Sequence, residues 1–190
     1  MCGIAGYLAT KDYWDADIVT DVEAMTLSML RRGPDAHGLW VSTEDGIVLG
    51  QRRLAIIDLS DDANQPMLSI DESLSIVFNG EIYNHEELRK KILKKKCNLK
   101  TRSDTEIILR LYQIYGANCV DYLEGMWAFA IYDQTQKIIF ISRDRIGEKP
   151  LYYYRKNGSF YFGSQTSFIR KLISNNSINH NKILNYLAYG

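Results

Sequence analysis

The sequence predicts an α+β protein built on antiparallel sheets. Two observations carry this. Short strand-like runs collect in two groups on either side of a central pair of helical patterns, which is not the strict strand and helix alternation of a parallel sheet. The runs after the helices are short, apolar and separated by polar turn-like segments, as buried strands of a meander are. The 190 residues, 46% of them hydrophobic, suffice for one domain with a substantial core.

Taken in order, residues 2–8 open with a strand-like run. Ile18, Val22, Met25 and Met29 recur at three and four residue steps and predict a helix over 17–30, stopped by Gly33-Pro34. Strands are expected over 37–42, 46–49, 53–58 and 73–78, the last alternating Leu74, Ile76 and Phe78. Asn84 with Glu87, and Ser103 with Glu106, match the capping-box pattern, so a helix should begin after each. Ile107, Ile108, Leu111 and Ile114 form the apolar stripe of the second. After Gly125 the strands of the meander are expected over 126–132, 138–142, 151–154 and 160–163. Helices laid over both sheets would bury their outer faces.

Composition removes several function classes. The 23 basic and 23 acidic residues balance, leaving no field to draw nucleic acid or an anionic membrane. The run Lys90, Lys91, Lys94, Lys95, Lys96 is interrupted by Ile92 and Leu93 and reads as the solvated face of a helix. Cys2, Cys97 and Cys119 are too few and too widely spaced for a disulfide framework or a zinc site, which suits a reducing cytoplasm. His37, His85 and His180 form no ligand cluster, so no metal is expected. There is no basic n-region and no apolar run of the ~18 residues that a membrane span needs.

Cys2 follows Met1 directly. If Met1 is removed, Cys2 carries both a thiol and, a few bonds away, an α-amine of pKa ~8 that is partly free base at neutral pH and can accept the thiol proton. On its own Cys2 is equally a core cysteine opening a strand. An amide hydrolase acting on a free amino acid needs a nucleophile, two donors for the tetrahedral oxyanion, a cation for the α-carboxylate and an anion for the α-ammonium. Asn79 offers a side-chain NH2 and Gly80 a backbone N–H, placed by the pattern just after a strand. Arg53 offers a planar fork, with Arg52 as competitor. Asp104, at a helix start, could face the ammonium. Singly, each has a plain structural explanation: a surface arginine, a tight Asn-Gly turn, an acid favoured by the helix dipole. Only their conjunction with an N-terminal Cys-Gly is specific.

Seven segments carry a resemblance across nearly the whole chain. They are Met1-Cys2-Gly3-Ile4-Ala5-Gly6, Arg32-Gly33-Pro34-Asp35, Arg53-Leu54-Ala55-Ile56-Ile57-Asp58, Phe78-Asn79-Gly80-Glu81-Ile82-Tyr83-Asn84, Ser103-Asp104-Thr105-Glu106, Gly125-Met126-Trp127-Ala128-Phe129 and Arg143-Asp144-Arg145-Ile146-Gly147. Together they resemble the glutaminase domain of glutamine-dependent asparagine synthetases, class II glutamine amidotransferases among the N-terminal nucleophile hydrolases. The resemblance implies a four-layer αββα sandwich and hydrolysis of L-glutamine to glutamate and ammonia. It implies Cys2 as nucleophile with its amine as base, and Asn79 and Gly80 as the oxyanion hole. Arg53 resembles the carboxylate ligand, with the run Leu54, Ala55, Ile56 and Ile57 lining the pocket; Asp104, Glu81 and the Gly80 backbone resemble the ammonium-recognition group.

The continuation Glu148-Lys149-Pro150-Leu151-Tyr152-Tyr153 favours the asparagine synthetase branch. Arg31, Glu148, Gln165 and Ser167 depart from the family pattern, and none belongs to the expected pocket. The reading divides the chain into a glutaminase domain over 2–165 and a helical extension over 166–190, leading toward a synthetase domain that would bring ATP and magnesium. The glutaminase half itself is expected to use no cofactor. No Ser-Gly-Gly-x-Asp-Ser segment occurs, so the chain reads as the N-terminal half of a longer amidotransferase; a homodimer is left open. The rival readings are a relative that amidates another carboxylate, a sugar acid or secondary metabolite, and an idle scaffold.

Overall fold

Strand alternation sorts the apolar residues onto two faces, and this sorting builds the layers. The computed structural model describes residues 1–9, 14–15, 17–94, 98–168 and 180–189. Its strands are β1 (Gly3–Ala9), β2 (Ala36–Ser42), β3 (Ile47–Arg53), β4 (Met67–Leu68), β5 (Leu74–Ile82), β6 (Gly125–Asp133), β7 (Ile138–Arg143), β8 (Tyr152–Lys156) and β9 (Ser159–Gly163). The helices are α1 (Asp17–Leu27), α2 (His85–Lys94), α3 (Asp104–Tyr115) and α4 (His180–Tyr189), with 3-10 turns at Asp61–Ala63 and Gly116–Tyr122. One sheet runs β2-β3-β1-β9-β8, the other β4-β5-β6-β7, and every pairing is antiparallel.

From β5, Leu74, Ile76, Phe78 and Ile82 face outward into a core shared with Leu88 and Ile92 of α2 and Ile107, Ile108 and Leu111 of α3. Val77 faces the other way and meets Ile4, Leu49, Ala128, Ala130 and Phe162 between the sheets. On the far side, Ile18, Val22, Met25 and Met29 pack on Ala5, Tyr7 and Val48, together with Phe168. The result is the four-layer αββα sandwich, with α1 over one sheet and α2 and α3 over the other. The inter-sheet layer is tight: a Cβ on Gly6 would lie 2.2 Å from Phe162 Cζ. Gly6→Ala is therefore expected to destabilise the fold by about 1–3 kcal/mol through overpacking. That should lower Tm by several degrees in a calorimetric scan, roughly 2–4 °C per kcal/mol at this size.

Four expectations are corrected. The run 53–58 is not a strand: β3 ends at Arg53, and the chain bends so that the carbonyls of Asp58 and Ser60 return to the Arg53 guanidinium. Its apolar side chains suggested a buried strand, yet Ile56 is 70% exposed. Asn79-Gly80 lies inside β5, paired with Ala128 and Trp127, rather than after it. The meander is split between sheets, with β6 and β7 in one and β8 and β9 in the other, because β9 pairs with β1. Both helices begin directly after Asn84 and Ser103 as expected, but neither capping box closes reciprocally. Ser103 does cap α3, accepting from Thr105 N at 3.1 Å, but Glu106 turns to the amides of Lys100 and Thr101. Asn84 bonds Tyr122 O and Glu124 N instead of capping α2. Of the remaining readings, Cys97, Lys95 and Lys96 lie outside the described residues, as does most of the stretch between β9 and α4.

Candidate active site

Because β1 is the middle strand of its sheet, the residue that precedes it sits at the mouth of the inter-sheet layer. Gly3 is opposite Arg52 of β3, so Cys2 lies beside Arg53 and the start of the following loop. The Cys2 thiol is held by one residue: Leu54 N donates to Sγ at 3.4 Å, and Sγ donates to Leu54 O at 3.6 Å. Its carbonyl accepts Arg32 Nε at 3.0 Å. The segment Arg32-Gly33-Pro34-Asp35 thus acts as a brace. Gly33 O accepts Arg52 Nε, Asp35 N donates to Arg53 O, and Asp35 Oδ2 accepts Ala55 N at 2.8 Å.

A cavity of about 120 Å3 opens at Cys2 and is lined by Arg53, Asn79, Gly80, Glu81 and Asp104. Leu54, Ile56 and Ile57 line it as well, whereas Ala55 does not and spends its amide on Asp35. Residues to which the sequence assigns no pocket role complete the wall, among them Asp58, Gln65, Thr105, Met126 and Lys149.

The Arg53 fork is only partly committed. Nη1 donates to Ser60 O at 3.0 Å and to Asn64 Oδ1 at 2.8 Å, and Nη2 donates to Asp58 O. A guanidinium has five N–H donors, so Nε and one Nη2 hydrogen have no partner among the described residues, and that edge can take a carboxylate bidentately. The loop presenting it is itself tied down. Asp58 accepts Ser60 Oγ and N and, through Oδ2, Arg102 N at 2.7 Å. Those bonds from Ser60, then Arg102, hold its carboxyl below the ordinary range.

The pairing phase of β5 decides what Gly80 offers. Trp127, the partner of Gly80, directs its N–H and carbonyl to Asp144 on the other side of β6, so this is a pair without mutual hydrogen bonds. The backbone of Phe78, Gly80 and Ile82 therefore faces away from β6. Phe78 N donates to Gln65 Oε1 at 2.6 Å and Ile82 N to Asp104 Oδ2 at 3.1 Å. The Gly80 N–H lies between them, turned toward the cavity that Gly80 lines. A side chain there would collide with the sheet, since a Cβ would lie 2.3 Å from Met126 O. Next to it, Asn79 is 1% exposed and its Nδ2 has no hydrogen-bond partner among the described residues. A buried amide left in this state costs about 1–3 kcal/mol, so two donors stand ready at one point of the wall.

Asp104 is 5% exposed at the first residue of α3. Burial pushes its carboxyl up, and the bond from Ile82 N offsets this only partly. Gln65 fixes the neighbouring wall by spanning Phe78 N and, through Nε2, Thr105 Oγ1 at 3.0 Å. Nothing in the sequence marks Gln65 for this, because its partners are brought together only by the fold. Among the described residues no group of three or more His, Cys, Asp or Glu could hold a metal, and no helix is long and apolar enough to cross a membrane.

In fold the chain is similar to the glutamine phosphoribosylpyrophosphate amidotransferase of Bacillus subtilis. The TM-score is 0.72 at 18% identity, over 89% of this chain and 43% of the other. The two chains share one fold. The sequence profile of the glutamine amidotransferase domain matches residues 1–190, and the chain belongs to that family. It is 36% identical over 171 residues to asparagine synthetase [glutamine-hydrolyzing] 3 of Bacillus subtilis, covering 89% of this chain and 27% of that protein. Against asparagine synthetase [glutamine-hydrolyzing] 1 of the same organism, identity is 33% over 190 residues, covering 100% and 30% respectively. The chain thus spans less than a third of the length of these two curated relatives.

Proposed function

We propose that this chain hydrolyses L-glutamine to glutamate and ammonia at Cys2, and that the ammonia serves the synthetase domain of a glutamine-hydrolysing asparagine synthetase. The observation that carries the reading is the pair of uncommitted donors, Asn79 Nδ2 and the Gly80 N–H, in the wall of the cavity that opens at the only described cysteine outside the core. Sequence relatives named for glutamine hydrolysis support it.

With Met1 removed, the Cys2 amine takes the thiol proton, and the thiolate adds to the carboxamide carbon of glutamine. Asn79 and Gly80 hold the resulting oxyanion. Collapse of the tetrahedral adduct breaks the C–N bond, the amine's proton passes to the leaving nitrogen, and ammonia departs. Water then attacks the γ-glutamyl thioester, giving up a proton to the amine, and the thiolate leaves and is reprotonated. The free edge of Arg53 holds the α-carboxylate, while Asp104 and Glu81 face the α-ammonium. Anchoring both α-groups fixes how far the amide reaches, which separates glutamine from asparagine better than the ~1–3 kcal/mol a methylene provides. The acceptor, and the ATP and magnesium it requires, belong to the synthetase domain.

The test is release of glutamate and ammonia from glutamine by a sample whose mass shows that Met1 is gone. A processed sample that releases neither sinks the proposal. Asp104→Asn is expected to raise KM about thirty-fold with little change in kcat, because one charge-assisted contact of about 2 kcal/mol is lost. The pH dependence has a definite sign. Since the Asp104 pKa is raised, its anionic form is lost on acidification before that of an ordinary aspartate, so wild-type KM should climb toward acid pH while that of Asp104→Asn stays flat. A raised carboxyl pKa favours folding of the protonated form, a stabilisation lost as pH rises through the folded value. At neutral pH the asparagine variant should therefore be no less stable than wild type.

A further inference from the structure

Lys149 is 5% exposed and lies in the wall of the glutamine cavity, yet no carboxylate among the described residues pairs with it. Its backbone is fixed, with Lys149 N donating to Asp144 Oδ2 at 2.9 Å. The contact recorded for Nζ is Met1 Sδ at 3.4 Å, a thioether and so a weak acceptor. A buried ammonium is costly unless something compensates it, and here its neighbour is the residue whose removal would create the working N-terminus. Sδ is roughly 6 Å at most from Cys2 N through the intervening bonds, which puts Nζ within about 10 Å of that nitrogen.

We infer that Lys149 is a positioning residue acting through charge: its ammonium, left facing the Cys2 amine when Met1 is removed, keeps that amine in its free-base form at neutral pH. The inference rests on the proposed glutaminase reading for its purpose, though not for its measurement. The other charged groups facing this nitrogen come from each packed element. Arg32 of the α1–β2 turn is bonded to the Cys2 carbonyl, and Arg53 of β3 to the carbonyls of the loop after it. Asp58 of that loop is committed to Ser60 and Arg102, Asp104 of α3 to Ile82 N, and Glu81 of β5 lines the rim. Bound glutamine would neutralise Arg53 and Asp104 together. Arg32 and Lys149 are then the cations without a carboxylate; Arg32 is common to wild type and every position-149 variant, so those variants isolate Lys149, and a like charge at this range lowers the pKa of an amine.

The experiment measures the acid limb of kcat/KM for glutamate release in Met1-free wild type, Lys149→Met, Lys149→Gln and Lys149→Arg. In parallel, the Cys2 amine is titrated by NMR of 13C-labelled cysteine, which needs no turnover. The wild-type amine should titrate below the ordinary value of about 8. Lys149→Met and Lys149→Gln should move it up by about half to one pH unit and lower the rate at neutral pH about three- to tenfold, with the alkaline plateau retained. Lys149→Arg should restore the wild-type profile. A wild-type amine at 8 or above overturns the inference without any variant, and so does an unmoved titration in a soluble Met or Gln variant. A depressed, Lys149-dependent amine in a protein that releases no glutamate supports the inference and defeats the glutaminase reading alone.

Discussion

Cys2→Ala is expected to abolish glutamate release, a loss of at least about 10^4-fold, since the nucleophile and the thioester it forms disappear together. The thiol makes two long contacts to one residue, Leu54, so the fold should scarcely register the change. Thermal unfolding within about 2 °C of wild type would separate loss of chemistry from loss of structure. Cys119 provides the internal comparison. It is fully buried and its thiol is pushed up to about 12 by desolvation, so alkylation at neutral pH should label Cys2 and spare Cys119. A Cys2→Ala protein that still hydrolyses glutamine would remove Cys2 from the mechanism.

Asn79→Ala should lower kcat by about 10^2 to 10^3, the loss of some 3 kcal/mol that follows removal of one oxyanion donor, with KM within a few-fold of wild type. Because Asn79 Nδ2 has no partner to lose among the described residues, stability should change little, in contrast to the usual cost of truncating a buried polar side chain. An unaltered kcat would return Asn79 to a purely structural role. A KM effect as large as the kcat effect would instead mean that Asn79 binds the ground state.

Strong periodicity was legible in the sequence: α1, α3, β5 and the strands after Gly125 fall close to where apolar spacing sets them. What spacing does not encode is which edge a strand joins. The turn between β7 and β8 carries the chain from one sheet to the other, and its polar residues read equally well as a hairpin. The run after Arg53 failed for a related reason, its aliphatic residues serving a pocket rather than a core. At the site, Cys2, Arg53, Asn79, Gly80 and Asp104 stand around one cavity as their conjunction suggested, joined by Glu81, which only the resemblance implied. Arg32, Asp35, Gln65 and Lys149 were opaque as participants, because each acts through a backbone or side-chain partner distant in sequence.

The outward edge of β5 has a meaning beyond chemistry. Past the short β4, which covers only Ser75 and Ile76, a bare strand edge would invite another chain to add itself by main-chain pairing. Here Gln65 and Asp104 occupy the amides on either side of Gly80, so an incoming strand would find its ladder positions taken. The one main-chain donor left open between them, on Gly80, faces the cavity. Protection from intermolecular strand addition and provision of an anion-binding donor are thus two results of one arrangement. Variants that empty the Gln65 or Asp104 positions should be watched for self-association as well as for lost turnover.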